Sequence, residues 1–440
     1  KPPVFEVAVG AEAQMAAAFN LVEGVDNLDA PYQGLGSGTA ASMVHALVGV
    51  LRGCEFGSDP CVSRTDDAGR KRYLGDIFHS NPLVVGSPNS AVNESSYAIF
   101  ANAHRDRPRV IYAGANDGFL HGFHAGTFRT KVLDGSGNET EQDLIPPRHD
   151  FGTGEELFGF MPYDVRNQVK ELPKQNSFPR LLETVDGSPV AADVWFYRSV
   201  NGGELGAPEP TLGFSAPFGT GLKSAEQWRT VLLSGLRNGG QSYFALDISE
   251  PTESASDFSG EYPRYLWSFP CDACASAVNP GSEGEAAWMG NTWSEPVITR
   301  VRVRSNAIEN PVGFERWVAI FGAGYHEHGD PNGIDYKVPG DPNFSAAGRA
   351  IYMVDITTGE VLAKKVFSES DSYISGAQIG FDDMRYAFAS APSAFDLDYD
   401  GFADVIYIPD LGGNLWKWVV KAAGDDPINN SVTNANVAQP

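Results

Sequence analysis

The stretch Val110–Thr127, VIYAGANDGFLHGFHAGT, contains the pattern that decides the fold. A run of β-branched and aromatic residues leads into a turn rich in Gly, Asn and Asp, and a second apolar strand follows. Gly118 supplies the positive φ that a tight turn between antiparallel strands needs. The pattern predicts a β-hairpin in which Asn116 and Asp117 are turn residues.

The same pattern returns several times along the chain. The further copies are Thr230–Ser249, the split pair Trp317–Tyr325 and Arg349–Gly359, and Asp404–Val420, with partial copies at Asp76–Gly86 and Glu295–Val301. One hairpin cannot bury its own faces, but repeated hairpins can bury them by packing radially. The sequence therefore predicts an all-β protein, a β-propeller of about seven blades with about four strands each.

Two alternatives to the propeller follow from the same pattern. The long insertions at 128–229 and 326–347 argue against a β-solenoid, because the loops of a propeller can grow outward while the stack of a solenoid cannot. A pair of β-sandwiches with similar hairpins is the other alternative.

The chain divides into three parts by composition. Residues 1–60 form a helical or irregular N-terminal segment, in which Ala11–Asn20 and Ala40–Arg52 have the spacing of short amphipathic helices. Residues 61–421 carry the repeat and are expected to be all β after Cys61. Residues 422–440 are rich in Asn, Asp and Ala without periodicity, which predicts a linker or a poorly packed tail.

The composition of the chain makes some classes of function improbable. The 440 residues carry a formal charge of −24, which repels phosphate backbones and makes nucleic acid a poor partner, while it attracts divalent cations. No apolar stretch is long enough to predict a membrane span. Because the chain starts Lys-Pro-Pro, we expect it to be a mature or excised portion of a longer exported protein.

The four cysteines fall into two local pairs, Cys54 with Cys61 and Cys271 with Cys274. Close pairing predicts two short disulfides in an oxidising compartment. A four-cysteine zinc site stays open as an alternative. A thioredoxin-like redox pair lacks the βαβ context it needs, and a c-type haem is excluded because Ala275 follows the second pair where that motif requires histidine.

An acidic loop, DLDYDGFAD at 396–404, predicts a calcium site. Its spacing follows the ligand order of an EF-hand, with Gly401 at the sharp turn, but Tyr407 stands where the bidentate Glu would be and the flanks are strands. The predicted ligands are Asp396, Asp398, Asp400, the backbone carbonyl of Phe402, and Asp404 as the bidentate member. A solvated acidic turn is the alternative, and Mg²⁺ suits this many protein ligands less well.

Other signals are weaker. The run His326-Glu327-His328, with Asp330 and Asp335 nearby, is a metal site or a polar loop. His121 and His124 alternate with apolar residues on a strand, which favours a structural role.

The chain contains no G-x-S-x-G, H-E-x-x-H, P-loop or G-x-G-x-x-G motif. A carboxylate pair of the glycosidase type stays open, since carboxylates are abundant.

Five ordered blocks together resemble the C-terminal domain of the PilC/PilY family of type IV pilus tip-associated and biogenesis proteins. They are LGDIFHSNPLVVG (74–86), RVIYAGANDGFLHGFHAGT (109–127), WRTVLLSGLRNGGQSYFALDIS (228–249), WVAIFGAGY with GRAIYMVDITTG (317–325, 348–359), and SAPSAFDLDYDGFADVIYIPDLGGNLWKW (390–418). The chain departs from the family at His124, where Asp is usual, and in the 128–165 and 326–347 segments. These departures bear on contacts with partners rather than on the fold.

The resemblance implies a modified β-propeller, exported through the periplasm to the pilus tip or outer cell surface. It also implies that Ca²⁺ in the 396–404 loop is linked to pilus extension, retraction and adhesion, with minor pilins and a surface receptor as partners and no enzymatic activity. A calcium-using enzyme on a similar propeller, of the quinoprotein dehydrogenase type, is the alternative function.

Overall fold

Each predicted hairpin forms the two central strands of a four-stranded antiparallel sheet. The computed structural model describes residues 12–22, 39–53, 65, 68–69, 74–90, 92–172, 182–196, 223–257, 262–270, 284–303, 314–326, 345–367, 381–420 and 436–438. Within these ranges the chain forms four such sheets and one separate two-stranded ribbon.

The strands follow one another in chain order within each sheet. The first sheet pairs β1 (Leu83–Val85), β2 (Arg109–Gly114), β3 (Leu120–Gly126) and β6 (Glu156–Phe160), and between β3 and β6 the chain forms the ribbon of β4 (Phe128–Leu133) and β5 (Glu139–His149). The second contains β7 (Val190–Trp195), β8 (Trp228–Gly235), β9 (Tyr243–Asp247) and β10 (Arg264–Phe269). The third contains β11 (Val297–Val303), β12 (Phe314–Gly322), β13 (Ala350–Asp355) and β14 (Val361–Val366). The fourth contains β15 (Ser393–Phe395), β16 (Val405–Pro409), β17 (Leu415–Val419) and β18 (Asn436–Ala438).

Alternate side chains of each central strand face different neighbouring sheets, which is the packing of propeller blades. In β8, Leu232 packs in the core shared with the first sheet, while Val231 and Leu233 pack in the core shared with the third. In β12, Ala319 packs toward the second sheet and Ile320 toward the fourth. The strands are continuous apolar runs because both faces are covered.

These cores join the first sheet to the second, the second to the third and the third to the fourth. Among the described residues no comparable core joins the fourth sheet to the first, so the sheets form an open, propeller-like arrangement. The predicted class, a modified β-propeller, is confirmed. The figure of about seven blades came from length alone, whereas the described residues form four four-stranded sheets and much of the chain lies between them.

Two predicted N-terminal helices are present, as α1 (Glu12–Ala18) and α2 (Ala40–Leu51). Their apolar faces pack on each other and on Phe119 beside the first sheet. The expectation that the chain is all β after Cys61 is wrong, because α3 (Ser95–Ala103) and the short α4 (Arg166–Val169) follow. In α3, Tyr97 and Phe100 are one turn apart and are buried in the core between the second and third sheets.

Short 3₁₀ turns occupy the connections at Tyr163–Val165, Ala225–Gln227, Ala255–Asp257, Glu285–Trp288 and Phe381–Asp383. The described helices are all too short or too polar to cross a membrane.

Within the predicted tail at 422–440, the described residues 436–438 form β18, which pairs with β17 in the register Trp418↔Val437. An outer edge strand satisfies the hydrogen bonds of its neighbour with its backbone, so it needs no apolar periodicity in its sequence.

Candidate metal site at residues 396–404

The acidic loop connects the first two strands of the fourth sheet, β15 and β16. The ladder closes at Phe395↔Val405, and the amide of Asp404 donates to the carbonyl of Phe395 at 2.8 Å. The two ends of the loop are therefore fixed by the sheet, and the residues between them turn back on themselves.

Three of the four predicted carboxylates converge. One oxygen each of Asp396, Asp398 and Asp404 lies within 4.8 Å of the others. Asp404 is buried at 4% exposure, whereas Asp398 is exposed. Carboxylates this close repel one another by a few kcal/mol per pair at an effective dielectric near 20, which a dication would remove.

The other two predicted ligands have different contacts. Oδ1 of Asp400 accepts a hydrogen bond from the amide of Phe402 at 2.9 Å, and Asp400 is not part of the converging set. The ring of Phe402 is buried, and the guanidinium of Arg300 lies 4.8 Å from its centroid. Bidentate binding by Asp404 stays a prediction, since its Oδ2 also accepts the amide of Leu397 at 2.7 Å.

The backbone of the loop wraps around Asp396. Its Oδ2 accepts the amide of Gly401 at 2.7 Å and its Oδ1 accepts that of Asp400 at 3.2 Å. Tyr399 and Gly401 have positive φ, +61° and +89°. The positive φ favours glycine at 401, and a Cβ there would also lie 2.1 Å from a guanidinium nitrogen of Arg300, which would have to move away.

Arg300, on β11 of the third sheet, connects the loop to the interior. Its Nε donates to the carbonyl of Gly401 at 2.6 Å, and its own carbonyl accepts the amide of Ala403 at 2.8 Å. Its Nη1 donates to Oε1 of Glu94 at 2.8 Å, just before α3. Sequence reasoning missed Arg300, because a single basic residue in a strand gives no sign of which loop it will contact.

The charged cluster around Arg300 reaches the second sheet. Lys223 Nζ donates to Glu94 Oε2 at 2.8 Å and also to Glu315, whose other oxygen accepts the indole N–H of Trp317 at 3.0 Å. These alternating charges satisfy one another in a mostly buried position. A shift of the 396–404 backbone would therefore reach the contacts of α3 and of the third sheet through Arg300.

The residues of the first hairpin have the structural roles expected of them. Asp117 accepts the amides of Gly75 at 2.7 Å and Phe119 at 3.2 Å. His121 is buried, with Nδ1 at 2.5 Å from Oε1 of Glu156 and Nε2 at 3.1 Å from Oδ1 of Asp117. Burial lowers the pKa of His121, but the hydrogen bonds to Asp117 and then Glu156 outweigh it and raise the pKa to about 9.

Hydrogen bonds also hold Asn116, in the turn, and His124, on the strand that follows it. Asn116 accepts the amide of Thr184 at 3.0 Å and donates to Asp76 at 2.8 Å. Nδ1 of His124 accepts the amide of Thr153 at 3.1 Å, and Nε2 lies 3.0 Å from Oγ1 of Thr127.

Two sets of predicted residues lie outside the described part of the chain. They are the four cysteines, Cys54, Cys61, Cys271 and Cys274, and, apart from His326 itself, the polar cluster Glu327, His328, Asp330 and Asp335. The two disulfides and the second metal site therefore stay predictions.

Comparison with known proteins identifies the family of the chain. Residues 220–439, half of the chain, match the family model described as the PilY1 beta-propeller domain. The type IV pilus biogenesis factor PilY1 of Pseudomonas aeruginosa is 25% identical over 380 residues, covering 84% of this chain and 23% of the relative. A PilY1 homolog of Xylella fastidiosa is 25% identical over 356 residues, covering 79% of this chain and 19% of the relative.

Among solved structures, the C-terminal domain of Pseudomonas aeruginosa PilY1 aligns with a TM-score of 0.44 and 22% identity, covering 81% of this chain and 51% of that one. The chain spans less than a quarter of the length of the curated relatives it matches. The family match includes three of the four strands of the second sheet (β8, β9 and β10), the third and fourth sheets and the whole acidic loop. The chain thus belongs to the PilY1 β-propeller domain family.

Proposed function

We propose that this chain is the calcium-binding propeller module of a type IV pilus biogenesis factor. The main support for this proposal is that the carboxylates of Asp396, Asp398 and Asp404 converge on one blade of a PilY1-family domain. The curated relatives are named type IV pilus biogenesis factors, which supports a role in pilus assembly rather than catalysis.

The donor set suits calcium. All three converging groups are carboxylates, the hard oxygen ligands that Ca²⁺ takes at about 2.3–2.6 Å. Two such oxygens on opposite sides of one ion are about 4.6–5.2 Å apart, and the three oxygens lie within 4.8 Å of one another. A single ion at their centre could therefore reach all three without a change of fold, and water or the carbonyl of Phe402 could complete its shell.

Calcium would act on the loop and, through Arg300, on its surroundings. At free calcium a hundredfold above the dissociation constant, the bound state gains about 2.7 kcal/mol. That energy is enough to switch one loop between arrangements. Arg300 donates hydrogen bonds both to the carbonyl of Gly401 and to Glu94, which lies just before α3. The conformation of the loop and the position of α3 would therefore change together.

In the cell, the module would be exported and would work at the pilus tip or outer surface. There it would contact minor pilins during extension and retraction, and a host or abiotic surface during adhesion. Leu397 and Tyr399 alternate with the acidic residues of the loop and are 59% and 91% exposed. A calcium-ordered loop would therefore present these two apolar side chains to a partner in one arrangement.

The test is calcium titration of Asp398→Asn by calorimetry and thermal melting. Asn keeps the side-chain oxygen that accepts the amide of Asp400, so the turn is preserved while one charge is lost. We expect calcium to raise the melting temperature of the wild type and its affinity for Asp398→Asn to fall at least tenfold.

Asp134→Asn is the matched control. Asp134 caps an exposed turn in the same way, accepting the amides of Ser136 at 2.8 Å and Asn138 at 2.9 Å, but belongs to no converging group among the described residues. Equal calcium binding by wild type and Asp398→Asn would reject the site, and equal loss in both variants would show that the effect is only one of net charge.

A further inference from the structure

A second cluster of metal-ligand groups lies between the segments that lead into the first and second sheets. It contains His79, in the segment leading into β1, and Glu183 and Asp186, in the segment leading into β7. One ring nitrogen of His79 and one oxygen of each carboxylate lie within 4.8 Å of one another. The cluster shares no residue with the acidic loop.

The two segments that carry the cluster are fixed by the backbone. Thr184 donates its amide to Asn116 Oδ1 at 3.0 Å and its hydroxyl to the carbonyl of Ala115 at 3.1 Å. On the other side, Ser188 Oγ accepts the amide of Asn81 at 3.1 Å. The residues on either side of Asp186 are thus tied to the first sheet, and the side chains of His79 and Asp186 are held against each other before any ion arrives.

Among the described residues the two carboxylates of the cluster pair with no Lys or Arg, and the partner of Asp186 is His79, whose amide also donates to Oδ1 of Asp186 at 3.3 Å. Asp186 is buried at 1% exposure, and its ion pair is with His79, whose Nδ1 lies 2.6 Å from its Oδ2. The carboxylate of Glu183 makes no hydrogen bond or ion pair in the described part of the chain. A carboxylate removed from water is costly unless a cation or a metal compensates it.

We infer that His79, Glu183 and Asp186 bind a divalent transition metal, with zinc the best fit. One imidazole nitrogen and two carboxylate oxygens form a three-ligand set of the kind that Zn²⁺ accepts while a water fills the fourth position. His79 has 27% of its side chain exposed, which leaves a path for the ion and the water.

The geometry needs little change to accept the ion. Zinc bonds of about 2.0–2.2 Å place neighbouring tetrahedral ligands about 3.3–3.5 Å apart, so His79 and Asp186 would separate by less than 1 Å from their present contact. The ion would take the place of the hydrogen bond between Nδ1 and Oδ2, because zinc binds an imidazole nitrogen that carries no proton. Because nitrogen is a poor ligand for calcium, this site and the acidic loop differ in metal preference.

A metal here would act as a clip between blades. His79 precedes the first strand of the first sheet, and Glu183 and Asp186 precede the first strand of the second. Coordination would join these two segments at the point where the chain enters each blade.

The test uses the whole chain, stripped of metal by a chelator, and titrates Zn²⁺ by calorimetry and Co²⁺ by visible absorption. We expect one ion bound at this site, with at least tenfold weaker binding in Glu183→Gln and loss of the cobalt absorption band in His79→Gln. Glu183→Gln removes no described hydrogen bond, so it should fold like the wild type.

Asp134→Asn serves as the control, because it removes one charge at a residue that belongs to neither converging group, and it should leave zinc binding unchanged. Equal zinc affinity in wild type, Glu183→Gln and His79→Gln would overturn the inference, because any ion that binds would then bind at another site. The absence of zinc binding at micromolar metal would also overturn it.

Discussion

At the residue scale, the loop at 396–404 depends on one glycine as much as on its carboxylates. We predict that Gly401→Ala destabilises the chain by about 3 kcal/mol, since an L-residue at φ +89° costs about 1–2 kcal/mol and the new methyl displaces Arg300 as well. The measurement is urea unfolding followed by tryptophan fluorescence.

Gly413→Ala on the same blade is the matched variant. It has a similar φ of +86°, but a methyl group there would meet no heavy atom of the described residues within 4 Å. Its cost should be about 1 kcal/mol, the conformational part alone. Equal losses in the two variants would contradict a bracing role for Arg300.

His121 gives the protein a stability that depends on pH. Its pKa of about 9 in the folded state exceeds the value of 6.5 of a free histidine, so folding is favoured by the bound proton. The contribution is fully present below about pH 6.5 and is lost as the pH rises through about 9. We predict that the stability advantage of wild type over His121→Gln, about 3 kcal/mol at pH 6, shrinks as the pH is raised to 9.5.

Urea unfolding at a series of pH values from 6 to 9.5 measures this advantage. His124→Gln, in which a buried imidazole bonded to threonines is lost instead, reports the cost of losing a ring without carboxylate partners. An advantage that does not change with pH would show that His121 is neutral when folded.

At the element scale, the last sheet depends on a strand that sequence reasoning overlooked. We predict that a variant ending at residue 435, which lacks β18, melts about 5 °C lower than one ending at residue 438. Removal of β18 exposes the backbone of Lys417, Trp418 and Val419 at a new sheet edge, which also favours self-association.

Differential scanning calorimetry and size-exclusion chromatography of the two truncated chains provide the comparison. The longer variant controls for loss of the terminus, since it keeps every described strand. If both melt alike and remain equally monodisperse, β18 contributes nothing to the sheet.

Elements were predictable from sequence where a periodic signal existed. The apolar runs and Gly-rich turns of the four hairpins predicted their central strands, and the two N-terminal helices were also found. The outer strands β6, β7, β10, β14 and β18 were not, because short edge strands are specified by their neighbours rather than by their own composition. The spacing of Tyr97 and Phe100 was the one available sign of α3, and it is too short to outweigh the strands around it.

At the scale of the whole molecule, the repeat predicted the architecture because each blade covers the apolar face of the next. The repeat could not give the number of blades, because long insertions add residues without adding strands, and chain length then overestimates the number of blades. The acidic loop was visible as a spacing of aspartates, and three of the four converge. The convergence of His79 with Asp186 was invisible, because it joins residues 107 apart in sequence through the contact between two blades.

The late position of β18 has a consequence for the order in which the molecule is built. A chain that emerges from a ribosome or an export channel from its N-terminus can complete the first three sheets from residues already released. The fourth sheet, which holds the acidic loop, waits for residue 438. The blade that carries the candidate calcium loop is therefore the last of the four to be completed, although the loop itself is closed earlier by the pairing of β15 with β16.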